Sequence, residues 1–395
     1  MSELPWTPDF DTWPVTHALV AAQARVDAVR LVWDDGRENH FAAALLRENS
    51  PDPDTVHPKS REMIISPDAL PANLRVADAR IGPAGELIVA WAPEHLQSRY
   101  HPGWLRAHAW FEDQAHDPPA PRLWAAADVA APPTFDGPQA LAGHAVFLDF
   151  LIALRDFGVA RLQNLNPAPG LLERVVRRIG PVRESNFGPM YTLEVKDNPD
   201  SNAYTAHPLP QHIDLPTREC PHGLQFLFCR ENSVAGGAGI YCDAYRIAED
   251  LRRQQPHHFD ALAAIRWTFN NRATTSDYRA CAPIIDVDAG GRIRAVRYNS
   301  FLRAPLRMPL DVQQRGYASV RAFSVRAQDP RYHLVFAYRP GDLVAFDNRR
   351  VLHGRNGYDA THGRRFIEGI YSDRDELHSA IRILERARRA QIAGP

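Results

Sequence analysis

The sequence is poor in cysteine, has no long apolar run and carries almost no net charge. Four cysteines in 395 residues, with no C-x-x-C pair, exclude a disulfide framework and favour a reduced, cytoplasmic compartment. A formal net charge of −1 provides no general basic surface, so we expect neither nucleic acid nor a membrane as partner. No stretch is apolar for long enough to cross a bilayer, and we expect no signal peptide. The mix of 45% hydrophobic and 24% charged residues is typical of a soluble globular protein.

Proline is abundant but unevenly distributed, and its distribution predicts the domain organisation. The 33 prolines are densest within 112–140. Proline fixes φ and removes a backbone donor, so this stretch is unfavourable for a helix or a central strand. We predict a linker at 112–140 between an N-terminal domain, 1–111, and a larger C-terminal domain, 141–395.

The N-terminal domain is predicted to be small and β-rich. A strand at 26–33 is followed by the turn residues Asp34-Asp35-Gly36 and by a second strand that reaches the 42–46 region. A further strand is predicted at 86–91.

The C-terminal domain is predicted to combine a pair of helices with many short strands. Apolar residues at helical spacing predict a helix over 144–155, and a second helix is predicted over 171–178. Short strands are predicted at 159–165, 223–229, 239–242, 265–270, 293–298, 333–338, 343–347 and 365–371. This pattern indicates a mainly β fold with some α, a β-sandwich or jelly roll.

Three residues have the chemistry and spacing of a metal site. In a strand, His212 and Asp214 point to the same face, so both can bind one ion. A distant histidine, His353, follows a predicted turn and strand and supplies a third ligand. Two histidines and one carboxylate form the facial triad of non-heme iron(II) oxygenases, which leaves three coordination positions open. The spacing therefore predicts an iron(II) site at these catalytic residues.

Arg365 lies twelve residues after His353, at the start of a predicted strand. A guanidinium there can bind the distal carboxylate of 2-oxoglutarate as a bidentate, charge-assisted pair. We predict that it anchors this co-substrate, with Arg364 and Arg355 as alternatives.

Longer segments resemble the γ-butyrobetaine hydroxylase and trimethyllysine hydroxylase family, within the taurine dioxygenase-like oxygenases that use iron(II) and 2-oxoglutarate. The matching segments are 203–205, 212–216, 221–227, 236–237, 340–342, 346–355 and 365–373, with 31–36 and 46–49 in the N-terminal domain. The resemblance covers nearly the whole chain. It implies a double-stranded β-helix catalytic domain joined to the small N-terminal β-rich domain, and usually a homodimer. The implied cofactors and co-substrates are Fe(II), 2-oxoglutarate and O2.

The resemblance also implies a substrate pocket. An aromatic cage for a trimethylammonium group would be formed by Phe187, Tyr191, Tyr204 and Tyr371. Ring faces suit a quaternary ammonium because it cannot donate a hydrogen bond. Asparagines typically hold the substrate carboxylate in this family; here Asn299 is present, whereas the other position is Ser201, beside Asn202. That departure puts the identity of the substrate in question.

A second departure concerns a structural zinc site in the N-terminal domain. In the family, three cysteines and a histidine hold the ion, but the matching positions here are Ser50, Asp52, Thr55 and His95. Structural zinc requires thiolate or imidazole ligands in a closed tetrahedron. We therefore expect no structural zinc.

The sequence thus predicts a 2-oxoglutarate-dependent dioxygenase that hydroxylates an unactivated C–H bond of a small, betaine-like quaternary-ammonium substrate. Hydroxylation of a quaternary-ammonium phosphonate or of a natural-product intermediate is an alternative. A non-catalytic metal-binding sensor on the same scaffold is a further alternative, since a fold does not determine a function.

Overall fold

The computed structural model describes residues 3–11, 13–112, 119–198, 202–273 and 276–393. The chain forms two compact units, one of residues 1–118 with 386–395 and one of residues 119–385. The larger unit begins at Pro119, so most of the segment predicted as a linker, 112–140, is part of it. Trp124 in that segment is buried, and its indole donates to the carbonyl of Phe157 at 2.7 Å.

The smaller unit contains two antiparallel sheets of three strands each, in the orders β1-β2-β3 and β4-β5-β6. Its strands and helices are β1 Leu19–Ala24, β2 Ala28–Trp33, β3 Glu38–Ala42, α1 Ala43–Glu48, β4 Arg75–Ile81, β5 Leu87–Ala92, β6 Gln97–Tyr100 and α2 Pro102–His108, with a 3-10 turn at Pro67–Ala69. The second predicted strand is present as β3, but it ends at Ala42, and a helix occupies the rest of the 42–46 region. Alanine, leucine, arginine and glutamate are strong helix formers, and they fill this segment.

Ser50, Asp52, Thr55 and His95 occupy the positions that match the zinc ligands of the family. Ser50 is buried and its hydroxyl donates to Ser98 at 2.6 Å, while Thr55 accepts from the Arg47 guanidinium at 2.6 Å. Arg47 also donates to both carboxylate oxygens of Glu94, at 2.9 and 3.0 Å. These polar groups hydrogen-bond with one another, and the absence of zinc stays a prediction.

The larger unit is built on two antiparallel-rich sheets, ordered β7-β8-β18-β11-β20-β9 and β10-β19-β12-β17, and on the hairpins β13-β14 and β15-β16. The strands are β7 Thr134–Asp136, β8 Val159–Gln163, β9 Tyr191–Leu193, β10 Leu209–His212, β11 Leu224–Asn232, β12 Gly239–Asp243, β13 Arg266–Ala273, β14 Ser276–Pro283, β15 Ile285–Val287, β16 Ile293–Val296, β17 Leu334–Phe336, β18 Leu343–Asp347, β19 Val351–Arg355 and β20 Arg365–Ser372. The predicted mainly β fold with some α is confirmed.

The two sheets face each other across a shared apolar core. Phe346 of the six-stranded sheet meets Tyr241 of the four-stranded sheet, with ring centroids 5.3 Å apart. Leu227 and Leu334 belong to the same buried cluster, one from each sheet. The alternating inward side chains of two packed sheets define the jelly roll, or double-stranded β-helix.

Helices cover both outer faces of this sandwich. Their bounds are α3 Gly137–Ala142, α4 Ala145–Phe157, α5 Leu171–Arg177, α6 Ala244–Gln254, α7 Pro256–Ala264, α8 Leu310–Ala327 and α9 Arg374–Ala393, with 3-10 turns at Asn202–Tyr204 and Pro330–Tyr332. Helices α4 and α5 match the predicted pair. The sequence analysis did not predict α6 to α9, because it read the remainder of the domain as strands between turns.

A buried ion pair ties the start of β19 to the rest of the sandwich. Arg350 is 1% exposed, and its guanidinium donates to both carboxylate oxygens of Asp243, which is fully buried, at 3.2 and 2.9 Å. The same guanidinium donates to the carbonyls of Asp156 and Arg122, at 2.8 and 2.6 Å. The segment that leads into β19 is therefore held from two other parts of the fold.

Removal of this guanidinium leaves Asp243 buried without its counter-charge. For Arg350→Leu we expect the free energy of unfolding to fall by about 3–5 kcal/mol, as measured by urea denaturation. The control is Arg331→Leu, which removes a surface pair with Asp329 and should cost less than about 1 kcal/mol. Equal losses in the two variants would contradict the stabilising role of the buried pair.

Candidate active site

The antiparallel pairing of β10 with β19 brings two distant histidines together. His212 lies directly opposite His353 in this register, with ring centroids 4.4 Å apart. Asp214 follows His212 by two residues, and its Oδ1 lies 3.1 Å from Nε2 of His212 and 3.6 Å from Nε2 of His353. The three side chains predicted as metal ligands thus converge on one point.

The geometry and donor set fit an iron(II) ion. The three donor atoms lie within 4.8 Å of one another, and ligands about 2.1 Å from one ion at right angles would be about 3 Å apart. Nδ1 of His212 lies 2.8 Å from the carbonyl of Pro210, an arrangement that directs Nε2 toward the metal position. His212, Asp214 and His353 would therefore hold the iron.

The protonation states favour metal binding. Burial alone would raise the pKa of Asp214, but His353 and His212 together lower it well below its usual range. Burial also lowers the pKa of His353. A deprotonated carboxylate and a neutral imidazole are the forms that bind a cation, so both shifts suit the site.

A buried asparagine fixes the backbone at the carboxylate ligand. The side-chain oxygen of Asn348 accepts from the backbone N–H of Asp214 at 2.8 Å, and its amide group donates to the Asp214 carbonyl at 3.1 Å. The same amide group donates to the carbonyl of His222 at 3.1 Å. Asn348 follows β18, so one side chain connects the metal ligand to the turn that leads into β19.

The second oxygen of the Asp214 carboxylate has its own hydrogen bonds. Oδ2 accepts from the Tyr371 hydroxyl at 2.6 Å and from the Gln225 amide at 2.8 Å. Gln225 also donates to the hydroxyl of Tyr191 at 2.6 Å. Oδ1 is thereby left to face the histidines, while Oδ2 joins the carboxylate to the six-stranded sheet.

Arg365 lies in the same cavity as the triad. This cavity has a volume of about 60 Å³ and is lined by residues of both sheets, namely Tyr191, Leu193, Ala203, Leu209, His212, Asp214, Gln225, Leu227, Gly239, Tyr241, Tyr338, His353, Gly354, Arg355 and Arg365. Arg365 is only 6% exposed, yet its Nε and Nη1 have no hydrogen-bond partner among the described residues. Gly237 leaves space for this guanidinium, since a Cβ there would lie 3.3 Å from Nε. A buried guanidinium with free donors fits the distal carboxylate of 2-oxoglutarate.

The two alternative anchors for the co-substrate are engaged elsewhere. Arg364 is half-exposed and forms ion pairs with Glu194 and Glu231. Arg355 lines the cavity, and burial followed by the charge of Arg365 lowers its pKa to about 10. Its Nη1 and Nη2 donate to backbone carbonyls, those of Ala203, Thr205 and His207. Only Nε of Arg355 lacks a partner among the described residues, whereas Arg365 has two such donors, Nε and Nη1.

Three of the four predicted cage residues form a continuous group of rings. Tyr191 stacks on Tyr371 with centroids 5.1 Å apart, and Phe187 lies 6.5 Å from Tyr191. The Tyr191 ring crosses Gly369 of the neighbouring strand, where a Cβ would lie 2.2 Å from it. Glycine at that position allows the stack to form beside the metal ligand.

The fourth predicted cage residue lies on the adjoining 3-10 turn. Tyr204 is buried, and the ammonium of Lys196 lies 3.4 Å from its ring centroid. Burial, followed by the charge of Asp214, raises the pKa of Tyr191 well above its usual range, and Tyr204 adds to this increase. The roles of all four rings in substrate binding stay predictions.

The predicted contacts to the substrate carboxylate are less clearly arranged. Asn299 is buried, and its amide group donates to the carbonyl of Ile213 while its oxygen accepts from the backbone of Phe301 and Leu302. Asn202 is exposed at the start of the 3-10 turn, and Ser201 lies outside the described residues. Asn299 therefore supports the metal strand within the chain, and its predicted contact with substrate is not tested.

Sequence reasoning did not assign roles to four residues near the site. They are Gln225, Asn348, Phe301 and His222. Phe301 is 41% exposed, and its ring meets that of His212 with centroids 5.0 Å apart. Burial lowers the pKa of His222 to about 4, so its ring lies neutral beside Tyr371, at 4.6 Å. For Gln225 a signal was available, namely an amide within an otherwise apolar run of β11.

A jelly roll with a His-Asp-His site and a buried arginine beside it defines a non-heme iron(II), 2-oxoglutarate-dependent dioxygenase. Comparison with known proteins agrees: the model of the taurine catabolism dioxygenase TauD, TfdA family matches residues 117–371. The chain belongs to this family. When iron(II) and 2-oxoglutarate are bound, they supply oxygen activation coupled to oxidative decarboxylation of the keto acid. The sensor alternative is therefore not supported.

Curated relatives extend the similarity to the whole chain. The γ-butyrobetaine dioxygenase of Pseudomonas sp. (strain AK-1) is 38% identical over 96% of this chain and 99% of its own length. The human γ-butyrobetaine dioxygenase is 28% identical over 91% and 94% of the two chains. The mitochondrial trimethyllysine dioxygenase of Rattus norvegicus is 28% identical over 75% and 72%. The predicted family resemblance is confirmed.

The hydrogen bond from Tyr371 to Asp214 predicts a role in metal binding. Tyr371→Phe keeps the ring stacked on Tyr191 but removes the donor to Oδ2. Loss of such a support typically weakens metal affinity by roughly 10–100-fold, and equilibrium dialysis with iron(II) under anaerobic conditions measures it. The control is Tyr317→Phe on α8, which lies outside the site. Wild-type affinity in Tyr371→Phe would show that the hydroxyl does not support the ligand.

The free donors of Arg365 predict a second effect. Arg365→Lys keeps the charge but loses the planar fork. We expect the apparent affinity for 2-oxoglutarate to fall by one to two orders of magnitude, roughly 1.5–3 kcal/mol, measured from succinate release. Arg364→Lys is the matched control, because the Arg364 guanidinium forms its ion pair with a surface carboxylate. A larger loss of 2-oxoglutarate affinity in Arg364→Lys than in Arg365→Lys would indicate that Arg364 binds the co-substrate carboxylate.

Proposed function

We propose that this dioxygenase hydroxylates an unactivated C–H bond of a small, betaine-like quaternary-ammonium compound. The observation that supports this most directly is the position of the ring stack. Tyr371 both stacks on Tyr191 and donates to the metal ligand Asp214. A head group bound against these rings would place its neighbouring carbons beside the iron.

The chemistry of the rings suits a cation that carries no hydrogen-bond donor. A quaternary ammonium is attracted to ring faces, each worth about 0.5–2 kcal/mol. Tyr204 already lies against a cation within the chain, the ammonium of Lys196. Asp214 adds a negative charge close by, which favours a positively charged head group.

The names of the relatives support the same class of substrate. γ-Butyrobetaine and trimethyllysine both contain a trimethylammonium group, and dioxygenases of these two compounds align with most of this chain. The two substrates differ in length, and trimethyllysine also has an α-amino group. The head group is therefore the part that the proposal specifies.

One observation favours a related substrate with a different acid group. Asn299, which the family resemblance assigns to the substrate carboxylate, uses its amide within the chain. A quaternary-ammonium phosphonate or a natural-product intermediate is the second candidate. Succinate release and product formation with γ-butyrobetaine, trimethyllysine and the aminophosphonate analogue would rank the candidates directly.

A ring deletion tests the cation part of the proposal. For Tyr204→Leu we expect about a tenfold loss of affinity for γ-butyrobetaine, because a cation–π contact contributes about 1 kcal/mol. We expect little change for 5,5-dimethylhexanoate, an isostere whose tert-butyl head group is uncharged. Competition binding measures both. Lys196→Met is the control, because it removes the ammonium that contacts this ring and leaves the ring in place.

Two outcomes would contradict this prediction. Equal losses for the cation and its neutral isostere would mean that Tyr204 acts only as apolar wall, and an uncharged substrate would then be favoured. A loss of γ-butyrobetaine affinity in Lys196→Met as large as in Tyr204→Leu would mean that the variant acts through the local packing of this turn.

We also propose that the enzyme is a homodimer in the cytoplasm. The resemblance to the hydroxylase family supports the dimer, and light scattering on the purified chain tests it. Four free cysteines support a reduced compartment. No helix among the described residues is long and apolar enough to span a bilayer.

A further inference from the structure

A second cavity lies behind the metal strand, on the opposite side from the iron. It has a volume of about 570 Å³ and is enclosed by strands β13 to β16, by residues 219–221 and by Arg349. Ile213 lines it, although its neighbours His212 and Asp214 line the iron side. Successive residues of an extended chain point to opposite faces, so one short segment borders both cavities. We call this second cavity the rear cavity.

Arginines dominate the polar lining of the rear cavity. Arg266, Arg279, Arg297 and Arg349 line it. Arg279 pairs with Asp277, whereas no carboxylate lies within ion-pair distance of the other three in the part of the chain that the structure describes. Glu219 and Asp286 also line the cavity, but both residues are exposed and, among the described residues, neither carboxylate accepts a hydrogen bond from these guanidiniums. The cavity therefore has an excess of positive charge.

Arg297 is half-buried, and Arg349 has one buried donor atom without a partner in the described part of the chain. Burial, followed by the charge of Arg349, lowers the pKa of Arg297 to about 10. Nε of Arg349 is buried and has no hydrogen-bond partner among the described residues. Nη1 of Arg349 has only the thiol of Cys220 as acceptor, at 3.8 Å. A buried cation and an unmade charged hydrogen bond both favour an incoming anion.

We propose that the rear cavity binds a small, multiply charged oxyanion, either a polycarboxylate or a phosphate-bearing metabolite. Guanidinium groups bind both chemistries by parallel hydrogen bonds to two oxygens. The cavity volume lies within the range of roughly 300–1,000 Å³ typical of small-molecule sites. This site is separate from the active-site cavity, which contains Arg365 and Arg355.

The rear cavity is also connected to the segment that follows the metal ligand. Arg297 donates to the carbonyls of Pro216 and Arg218 at 2.7 Å and of Glu219 at 2.8 Å. These carbonyls follow Asp214 closely along the chain. An anion beside Arg297 would bind next to the guanidinium that holds this segment, so the site is placed to influence the metal strand.

The binding test uses the full chain under anaerobic conditions with iron(II) and saturating 2-oxoglutarate, so that Arg365 is occupied. Calorimetric titrations with tricarballylate and with inorganic phosphate are run at constant ionic strength in chloride. We expect saturable binding at one site per chain. The tighter of the two probes identifies the ligand as carboxylate or phosphate.

Variants locate the site. Arg349→Gln should weaken binding of the tighter probe at least about tenfold, the effect of one charged contact. Arg321→Gln, on the exposed face of α8, should leave it within about twofold, as expected for a surface substitution without a partner. Absence of saturable binding by either probe, or equal losses in the two variants, would overturn the proposal.

A second measurement needs no variant. Cys220 and Cys281 line the rear cavity and are exposed, whereas Cys229 and Cys242 are buried. Alkylation by the neutral reagent iodoacetamide, followed by peptide mass spectrometry, reports access to each thiol. The tighter probe should slow alkylation of Cys220 several-fold, and an unchanged rate at saturating probe would overturn the proposal.

Discussion

The register between β10 and β19 is the constraint on which the active site depends. Because His212 pairs with His353 across these strands, two imidazoles separated widely in sequence face one point. A slip of one residue would send each side chain to the opposite face of the sheet. Asn348 and the buried Arg350–Asp243 pair hold the turn and segment that precede β19. The metal site therefore keeps its geometry only if that turn is stable.

The carboxylate of Asp214 connects the two sheets chemically. Its Oδ1 belongs to the metal site on the four-stranded sheet, whereas its Oδ2 accepts from Tyr371 and Gln225 on the six-stranded sheet. The tyrosine that packs in the ring stack is thus also a support for a metal ligand. In the proposed function Tyr371 serves both substrate recognition and metal geometry, so we expect a substitution of Tyr371 to affect both.

Tertiary packing explains where the sequence-based description of the fold was incomplete. Strands β18 and β20 match the predictions closely, because their apolar runs are bounded by clear turn residues. The 42–46 region was assigned to the end of a strand, although helix formers fill α1 from Ala43 onward. Helices α6 to α8 pack on a buried cluster around Trp267 and Phe323. The sequence analysis predicted strands between turns in this region and therefore did not predict these helices.

The sequence by itself determined the family, and it predicted the metal ligands and the arginine that would anchor the co-substrate. Each of these is encoded in a short segment whose spacing or residue type carries the chemistry. Only the tertiary structure decided which partners those residues have: Gln225 and Tyr371 on Asp214, internal contacts for Asn299, and the unpaired guanidiniums behind Ile213. The physical reason is that hydrogen bonds and uncompensated charges depend on distances between strands far apart in sequence.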